Sequence, residues 1–287
     1  MKKLSILVVL LFALPVILLV ISCIDKRTFS SPPGYDLNHP VKYNMPEKLT
    51  EISGIAFHHG NADWLYAEED EKGRVYYFKP GSADVKHTEF GKADDYEDIA
   101  IMGDQVIMLR SDGVFFVFPL GQVQSGNISN VQKWDNVLPS GEYEGLYADE
   151  KSSTLYALCK HCSDDNTAKS SSVYSFKVSA DGKIKQSGQY SINVKDIEAM
   201  TGTKKIAFHP SAFAKNQNTN EWYILSSVNK MLVVTDANWK VKVVYPINPA
   251  LFRQPEGIAF DNQNNLYISN EGDKVTPGNV LKFNYKK

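Results

Sequence analysis

The sequence predicts an all-β protein, a β-propeller of four-stranded blades, and three observations carry that expectation. A hairpin phrase recurs along the chain, its copies stand at nearly constant spacing, and the residues between them show strand and turn patterns. The clearest copy is the last, Gln254-Pro255-Glu256-Gly257-Ile258-Ala259-Phe260, followed by a polar turn from Asp261 to Asn265. The return strand is Leu266-Tyr267-Ile268-Ser269-Asn270, ending in Glu271-Gly272. Asn and Asp suit the turn because they tolerate the left-handed backbone and bond locally. Earlier copies run Glu51 to Phe57, Tyr96 to Ala100 and Tyr143 to Tyr147. A degenerate copy, Pro210 to Phe213, has Ser211 where the Glu would stand.

From Glu51 to Glu97 is 46 residues, from Glu97 to Glu144 is 47, and from Ser211 to Glu256 is 45. The step from Glu144 to Ser211 is 67, so that unit is longer. Five repeats predict five blades, and the extra residues leave room for a sixth, irregular one. Third strands are expected at Arg74 to Phe78, Val114 to Phe118, Val173 to Val178, Met231 to Thr235 and Val280 to Phe283. Fourth strands are expected at Val85 to Phe90, Val131 to Trp134, Ile184 to Tyr190 and Val241 to Tyr245. The last repeat stops after three strands. Val41-Lys42-Tyr43 is expected to supply the fourth, closing the ring and hiding two sheet edges.

The chain opens with Met1-Lys2-Lys3 and an almost wholly apolar run from Leu4 to Ile21. That run is long enough for a membrane helix, but Val20-Ile21-Ser22-Cys23 resembles the bacterial lipoprotein signal. Residues 1–22 are therefore expected to be a signal peptide, with Cys23 lipidated as the mature N-terminus. Residues 23–40, with Ser30-Ser31-Pro32-Pro33-Gly34, are expected to be a tether, and residues 41–287 the propeller. A lipid attaches the protein to a membrane of the cell envelope without a spanning segment. Setting the two N-terminal lysines aside leaves 29 basic against 33 acidic residues, a net charge of −4. There is no basic stripe and no recognition motif, so no nucleic-acid partner is expected.

Cys159-Lys160-His161-Cys162 leaves three readings open: an incidental structural pair, a local disulfide outside the cytoplasm, or metal or redox chemistry. The pair follows a strand rather than opening a helix, and no second CxxC or His pair completes a zinc site. Asp261 to Asn265 begins like an EF-hand loop but has Leu266 at the sixth position and Gly272 at the twelfth, so it reads as a turn. Asp164-Asp165-Asn166 falls in a polar loop. The sequence contains no Gly-x-Ser-x-Gly elbow, phosphate loop or His-Glu-x-x-His.

In a propeller blade the innermost strand follows the channel and the second runs back beside it. The start of the first and the end of the second therefore share a face. This brings Glu51, Glu97, Glu144 and Glu256 to one channel mouth, with Asp70 and Glu271 close behind. Arg110, Lys160 and Asn229 end second strands on that face, and His209 holds the place that Gln254 has in the last repeat. Crowded carboxylates raise one another's pKa unless something positive stands among them, and a flexible ring of oxygens suits Ca²⁺. A purely structural role competes with this: each Glu accepts from backbone N–H groups of the neighbouring blade and fastens the two together.

Several phrases together carry a resemblance: Glu51-Ile52-Ser53-Gly54-Ile55, Asp95-Tyr96-Glu97-Asp98-Ile99, Leu109-Arg110-Ser111-Asp112-Gly113, Tyr143-Glu144-Gly145-Leu146, Ser226-Ser227-Val228-Asn229-Lys230 and Gln254-Pro255-Glu256-Gly257-Ile258. They resemble the SdiA-regulated domain family, the YjiK-like β-propellers, in lipoprotein form, over about residues 45 to 285. The resemblance implies a secreted or membrane-anchored propeller, with calcium handling in some relatives and a likeness to phytase-type propellers. The chain departs from that pattern at Asp196-Ile197-Glu198-Ala199-Met200, ahead of the repeat lacking its Glu, which breaks the symmetry of a metal ring. The preferred reading is a membrane-anchored, non-enzymatic propeller that binds Ca²⁺, a small ligand or an envelope protein at the mouth. Its metal ligands would be Glu51, Glu97, Glu144, Glu256, Asp70 and Glu271, and its ligand contacts Arg110, Lys160, His209 and Asn229. The alternative is a calcium-dependent hydrolase of phytase-like or lactonase-like type. Only Arg110, Lys160 and Lys230 stand near the mouth to hold a polyphosphate, and propellers host both classes.

Overall fold

The computed structural model describes residues 29–163 and 165–287, so the expected signal peptide, Cys23 and Asp164 lie outside the described residues. Five antiparallel sheets of four strands form five blades. The first is β2 (Ile52–Phe57), β3 (Leu65–Glu69), β4 (Arg74–Phe78) and β5 (Lys86–Glu89). The second is β6 (Tyr96–Met102), β7 (Gln105–Arg110), β8 (Phe115–Pro119) and β9 (Gln132–Trp134), with a short helix α1 (Leu120–Ser125) before its last strand. The third is β10 (Gly141–Asp149), β11 (Thr154–Cys162), β12 (Ser170–Val178) and β13 (Ile184–Asn193). The fourth is β14 (Ala212–Asn216), β15 (Glu221–Ser226), β16 (Met231–Thr235) and β17 (Val241–Pro246). The fifth is β18 (Pro255–Phe260), β19 (Leu266–Asn270), β20 (Asn279–Phe283) and, from the start of the chain, β1 (Val41–Asn44).

The ring closes as the three-stranded last repeat predicts. β1 pairs antiparallel with β20, Val41 opposite Lys282 and Asn44 opposite Asn279. The innermost strands β2, β6, β10, β14 and β18 pack in turn around the axis, and β18 returns to β2. Among the described residues there is no sixth blade. The extra residues of the third repeat lengthen its strands and form α2 (Val194–Thr201), whose N-cap Asn193 accepts from the Lys195 N–H at 3.0 Å. Asp196 and Glu198 belong to that helix. Glu198 is spent on the chain's own backbone, accepting from the Ile206 N–H at 3.0 Å.

Blades pack through aromatic and aliphatic side chains on alternate strand positions, as half-buried and fully buried β surfaces require. Tyr147 of the third blade meets Trp222 of the fourth edge-on with centroids 5.2 Å apart, and Phe90 of the first blade stacks on Phe118 of the second at 5.1 Å. The inner strands approach so closely that some positions exclude a side chain. A Cβ on Gly54 would stand 2.6 Å from the Asp98 Cα in the next blade, and one on Gly257 would stand 2.5 Å from the Ser53 carbonyl oxygen.

Residues 29–40 do not hang free as a tether. Tyr35 and Leu37 are buried in the core between the fourth and fifth blades. The Tyr35 hydroxyl donates to the Asn264 carbonyl at 2.7 Å and accepts from Asn264 Nδ2 at 2.8 Å and Asn216 Nδ2 at 3.2 Å. A polar, Pro-rich stretch hid two anchors. The Asp261 loop is a hairpin turn, with Asp261 Oδ1 accepting from the N–H groups of Gln263 at 2.9 Å and Asn265 at 2.8 Å. Cys159 and Cys162 form a disulfide within β11, which removes the thiolates a metal would need.

Candidate functional site

Three of the predicted glutamates share one local device. The pairing of β6 with β7 steps from Tyr96–Arg110 to Asp98–Leu109, leaving Glu97 as an extra residue. The pairing of β10 with β11 steps over Glu144, and that of β18 with β19 over Glu256, in the same way. Each Glu is thus the extra residue of a β-bulge, a feature that bends a strand and re-aims one side chain. All three fall at the entrance of an innermost strand, at the same mouth of the channel.

Glu51 does not hold the equivalent place. Matching the Gly-Ile pairs Gly54-Ile55 and Gly257-Ile258 sets Ser53, not Glu51, in the rank of Glu97, Glu144 and Glu256, and the bulge of the first blade falls at Ser53 and Gly54. The two serines of this rank do the fastening. Ser53 Oγ donates to the Glu97 carbonyl at 3.1 Å, and Ser211 Oγ donates to the Pro255 carbonyl at 2.7 Å, each from one blade to the next. Asp98, beside Glu97, is a stronger clasp: its Oδ2 accepts from the Leu146 N–H of the next blade at 2.6 Å. Blade-to-blade hydrogen bonds at this mouth are thus made by Ser53, Ser211, Asp98 and Ser269, whose Oγ donates to the Ser53 carbonyl at 2.5 Å. Among the described residues, the Glu97 carboxyl takes no protein hydrogen bond.

Electrostatics bind the glutamates into one group. Burial, then the charges of Glu144 and Asp95, push Glu97 up to about 10. Burial, then Glu144, push Glu256 up to about 8, although the Ser227 side chain hydrogen-bonds it. Burial also raises Glu144, and Lys160 offsets part of that rise. Lys160 Nζ donates to Glu144 Oε1 at 2.5 Å and stands 3.0 Å from Glu142 Oε1. Burial works against the Lys160 charge, but Glu144 and Glu142 outweigh it and hold the ammonium above its ordinary range.

A second acidic group forms the rim between the first and fifth blades. Carboxylate oxygens of Glu51, Glu69 and Asp70 lie within 4.8 Å of one another. Burial, followed by Glu51, raises Asp70 to about 6. Burial, followed by Asp70 and Glu51, raises Glu271 to about 7. Glu271 accepts from Gln254 Nε2 at 2.8 Å, while Asp70 Oδ1 is buried without a partner. Glu69, which the repeat brings to this mouth with Asp70 at the end of a second strand, joins this group, whereas Glu68 stands beside Asp98 and Glu97 of the second blade and was unannounced by the repeats. Glu68 is wholly buried, accepts from the Gly54 N–H at 2.6 Å through Oε1, and leaves Oε2 without a partner. The only signal for Glu68 was the acidic run Glu68-Glu69-Asp70-Glu71.

The basic and polar candidates divide. Lys160 and His209 line a cavity of about 330 Å³ at the acidic mouth, together with Glu144, Lys230, Gln254 and Glu256. Burial, then His161 and Lys160, hold the His209 pKa below its ordinary value. Arg110 is occupied elsewhere, 2.5 Å from Asp94 and 2.7 Å from Asp112. Asn229 is spent on the segment that leads into β14: Oδ1 accepts from the His209 N–H at 3.1 Å and Nδ2 donates to the Ala207 carbonyl at 3.0 Å. Neither Arg110 nor Asn229 lines the cavity.

Five blades around a channel with buried acids at one mouth define the class: an all-β propeller with an acidic channel entrance. The sequence profile of the SdiA-regulated family matches residues 33–274. The chain belongs to the SdiA-regulated family. No curated protein matches it significantly. Among solved structures it is similar in fold to glutaminyl cyclase from Myxococcus xanthus, at 14% identity over 87% of this chain and 97% of that one, with a TM-score of 0.57. It is similar also to regucalcin from Agrobacterium tumefaciens, described as a calcium-binding protein, at 11% identity over 85% and 93% of the chains and a TM-score of 0.53. A luciferin-regenerating enzyme gives 12% identity over 86% and 95%, also with a TM-score of 0.53.

Proposed function

We propose that this protein is a non-enzymatic, lipid-anchored propeller of the cell envelope that holds a divalent cation, Ca²⁺, at its acidic channel mouth. The observation that carries the reading is the set of three bulged glutamates, Glu97, Glu144 and Glu256, buried together with the Lys160 ammonium bonded to Glu144 and Lys230 beside Glu256. Crowded buried carboxylates are unfavourable unless they are protonated or neutralised. A hard cation with oxygen ligands and flexible coordination is the partner they fit. The partnerless Asp70 Oδ1 adds an acceptor of the same chemistry at the rim. Regucalcin, described as calcium-binding, has the same kind of fold. Lys160, His209 and Lys230 beside the cavity leave room for a small anionic ligand next to the cation. The Cys159–Cys162 disulfide belongs to an oxidising compartment, in keeping with an envelope location reached through Cys23.

Thermal unfolding in Ca²⁺ and in chelator tests the reading. At a hundredfold excess over Kd, linkage gives about 2.7 kcal/mol, roughly 5–10 °C in melting temperature for a domain of this size. Glu97→Gln and Glu256→Gln are expected to keep the fold and lose most of the shift. No shift in the parent, with both variants unfolding, assigns these glutamates to structure and ends the proposal.

A further inference from the structure

The channel has a second mouth, formed by the C-terminal halves of the five innermost strands, and it differs in chemistry from the first. There a cavity of about 370 Å³ is walled by Ile55, Ile99, Leu146 and Ile258, the residues that follow Gly54, Asp98, Gly145 and Gly257 in the repeated phrase. This volume is within the usual range for small-molecule sites. This aliphatic band arises because the same hydrophobic position recurs in four of the five blades.

Beside this aliphatic band the third and fourth blades set an acid and a base against each other; of the other charged lining residues, Glu150 is paired with His59 Nδ1 at 2.7 Å, Asp261 is bonded within its own turn, and Lys151 stands next to Glu150. Asp149 ends β10 in the third blade and Lys215 stands near the end of β14 in the fourth, and both line the cavity. The Asp149 side chain is only 10% exposed, and its Oδ1 is buried without any hydrogen-bond partner. Its Oδ2 lies 3.7 Å from Lys215 Nζ, beyond hydrogen-bond distance, and the ammonium stands over the Trp222 ring at 5.4 Å. A buried carboxylate oxygen left without a donor is costly, and a loose ion pair leaves both groups free to take further partners.

We propose that this second mouth is a binding site for an apolar α-amino acid in its zwitterionic form. The ligand's ammonium donates to Asp149, its carboxylate accepts from Lys215, and its side chain lies on the aliphatic wall. The alternatives fit less well on charge alone. A simple cation meets Lys215, a simple anion meets Asp149, and a neutral apolar molecule leaves Asp149 Oδ1 unsatisfied. An α-amino acid carries opposite charges one carbon apart, the arrangement that the adjacent Asp149 and Lys215 present in mirror order. The site is separate from the acidic mouth and does not depend on a cation there.

The test is calorimetric titration of the purified full-length protein, in mild detergent, with L-leucine and L-phenylalanine. Three analogues accompany them: N-acetyl-leucine without the ammonium, leucinamide without the carboxylate, and glycine without the apolar side chain. Saturable binding of leucine or phenylalanine is expected, weakened at least tenfold in each analogue. Asp149→Asn and Lys215→Met are each expected to weaken binding tenfold or more, with far-ultraviolet circular dichroism confirming the fold. Chelator leaves the affinity unchanged. Absence of binding by both amino acids at 10 mM ([L] on the order of a weak millimolar site), or equal binding of N-acetyl-leucine, overturns the proposal. The analogue series decides the matter on the unmodified protein even if a variant fails to fold.

Discussion

Lys160 donates to Glu144 at 2.5 Å and stands 3.0 Å from Glu142, so one ammonium holds together the acidic wall of the channel mouth. Its aliphatic stem and its charge both arrive from β11, between the two disulfide-bonded cysteines. Replacing it by Met keeps most of the volume and removes the charge. Loss of one partner of a fully buried pair costs about 3–5 kcal/mol, and the 28% exposure of the Lys160 side chain reduces that. Lys160→Met is expected to lower stability in chelator by roughly 2 kcal/mol in urea unfolding, and to enlarge the stabilisation by Ca²⁺. An unchanged midpoint would show that the acidic wall does not depend on this ammonium.

The raised acids make stability fall with rising pH. Glu97 stands at about 10, Glu256 at about 8, Glu271 at about 7 and Asp70 at about 6, all above the ordinary values of 4.5 for Glu and 3.8 for Asp. The native state thus binds protons that the unfolded chain has released. Their contribution is complete below the unfolded pKa values and is lost as pH rises through the folded ones, from about 6 to about 10. In chelator the melting temperature is expected to peak near pH 5, on the order of the unfolded carboxyl pKa, and to decline toward pH 9. Ca²⁺, which binds the deprotonated acids, is expected to flatten the decline. A level profile in chelator would mean that these protons are not linked to folding.

The N-terminal segment is expected to contribute through Tyr35 and Leu37 rather than through its length. A chain beginning at Ser30 should melt close to the parent. One beginning at His39 loses both buried side chains, a loss on the order of 4 kcal/mol and roughly 10 °C for a domain of this size. Tyr35→Phe removes only the hydroxyl that joins Asn264 and Asn216, and is expected to cost about 1–2 kcal/mol. Equal melting of the two truncations would contradict the packing role.

Cys23 is expected to be the lipidated first residue of the mature protein. Cys23→Ser should leave the precursor uncleaved or release the protein from the membrane fraction. Intact mass spectrometry of the parent reads the outcome directly: a modified Cys23 at the N-terminus supports the anchor, and an unmodified N-terminus elsewhere removes it.

The sequence by itself determined the propeller, its five blades and its closing strand. Those features rest on local signals: alternation along strands, Asn- and Asp-rich turns such as Asp261 to Asn265, a constant period, and a last repeat one strand short. It also brought Glu97, Glu144 and Glu256 to one mouth, because equivalent positions in successive blades are related by rotation about the axis. Tertiary structure alone decided the rest. Ser53 rather than Glu51 holds the first blade's place, since rank depends on where the bulge falls against β3. Asp98 proved to be a clasp because the Leu146 N–H of another blade reaches it. Arg110 was drawn away by Asp94 and Asp112, and Tyr35 was drawn inward by Asn264 and Asn216. Asp149 and Lys215 meet only across two blades. Whether a polar side chain fastens, compensates or waits for a ligand depends on burial and on partners distant in sequence, and no local pattern records either.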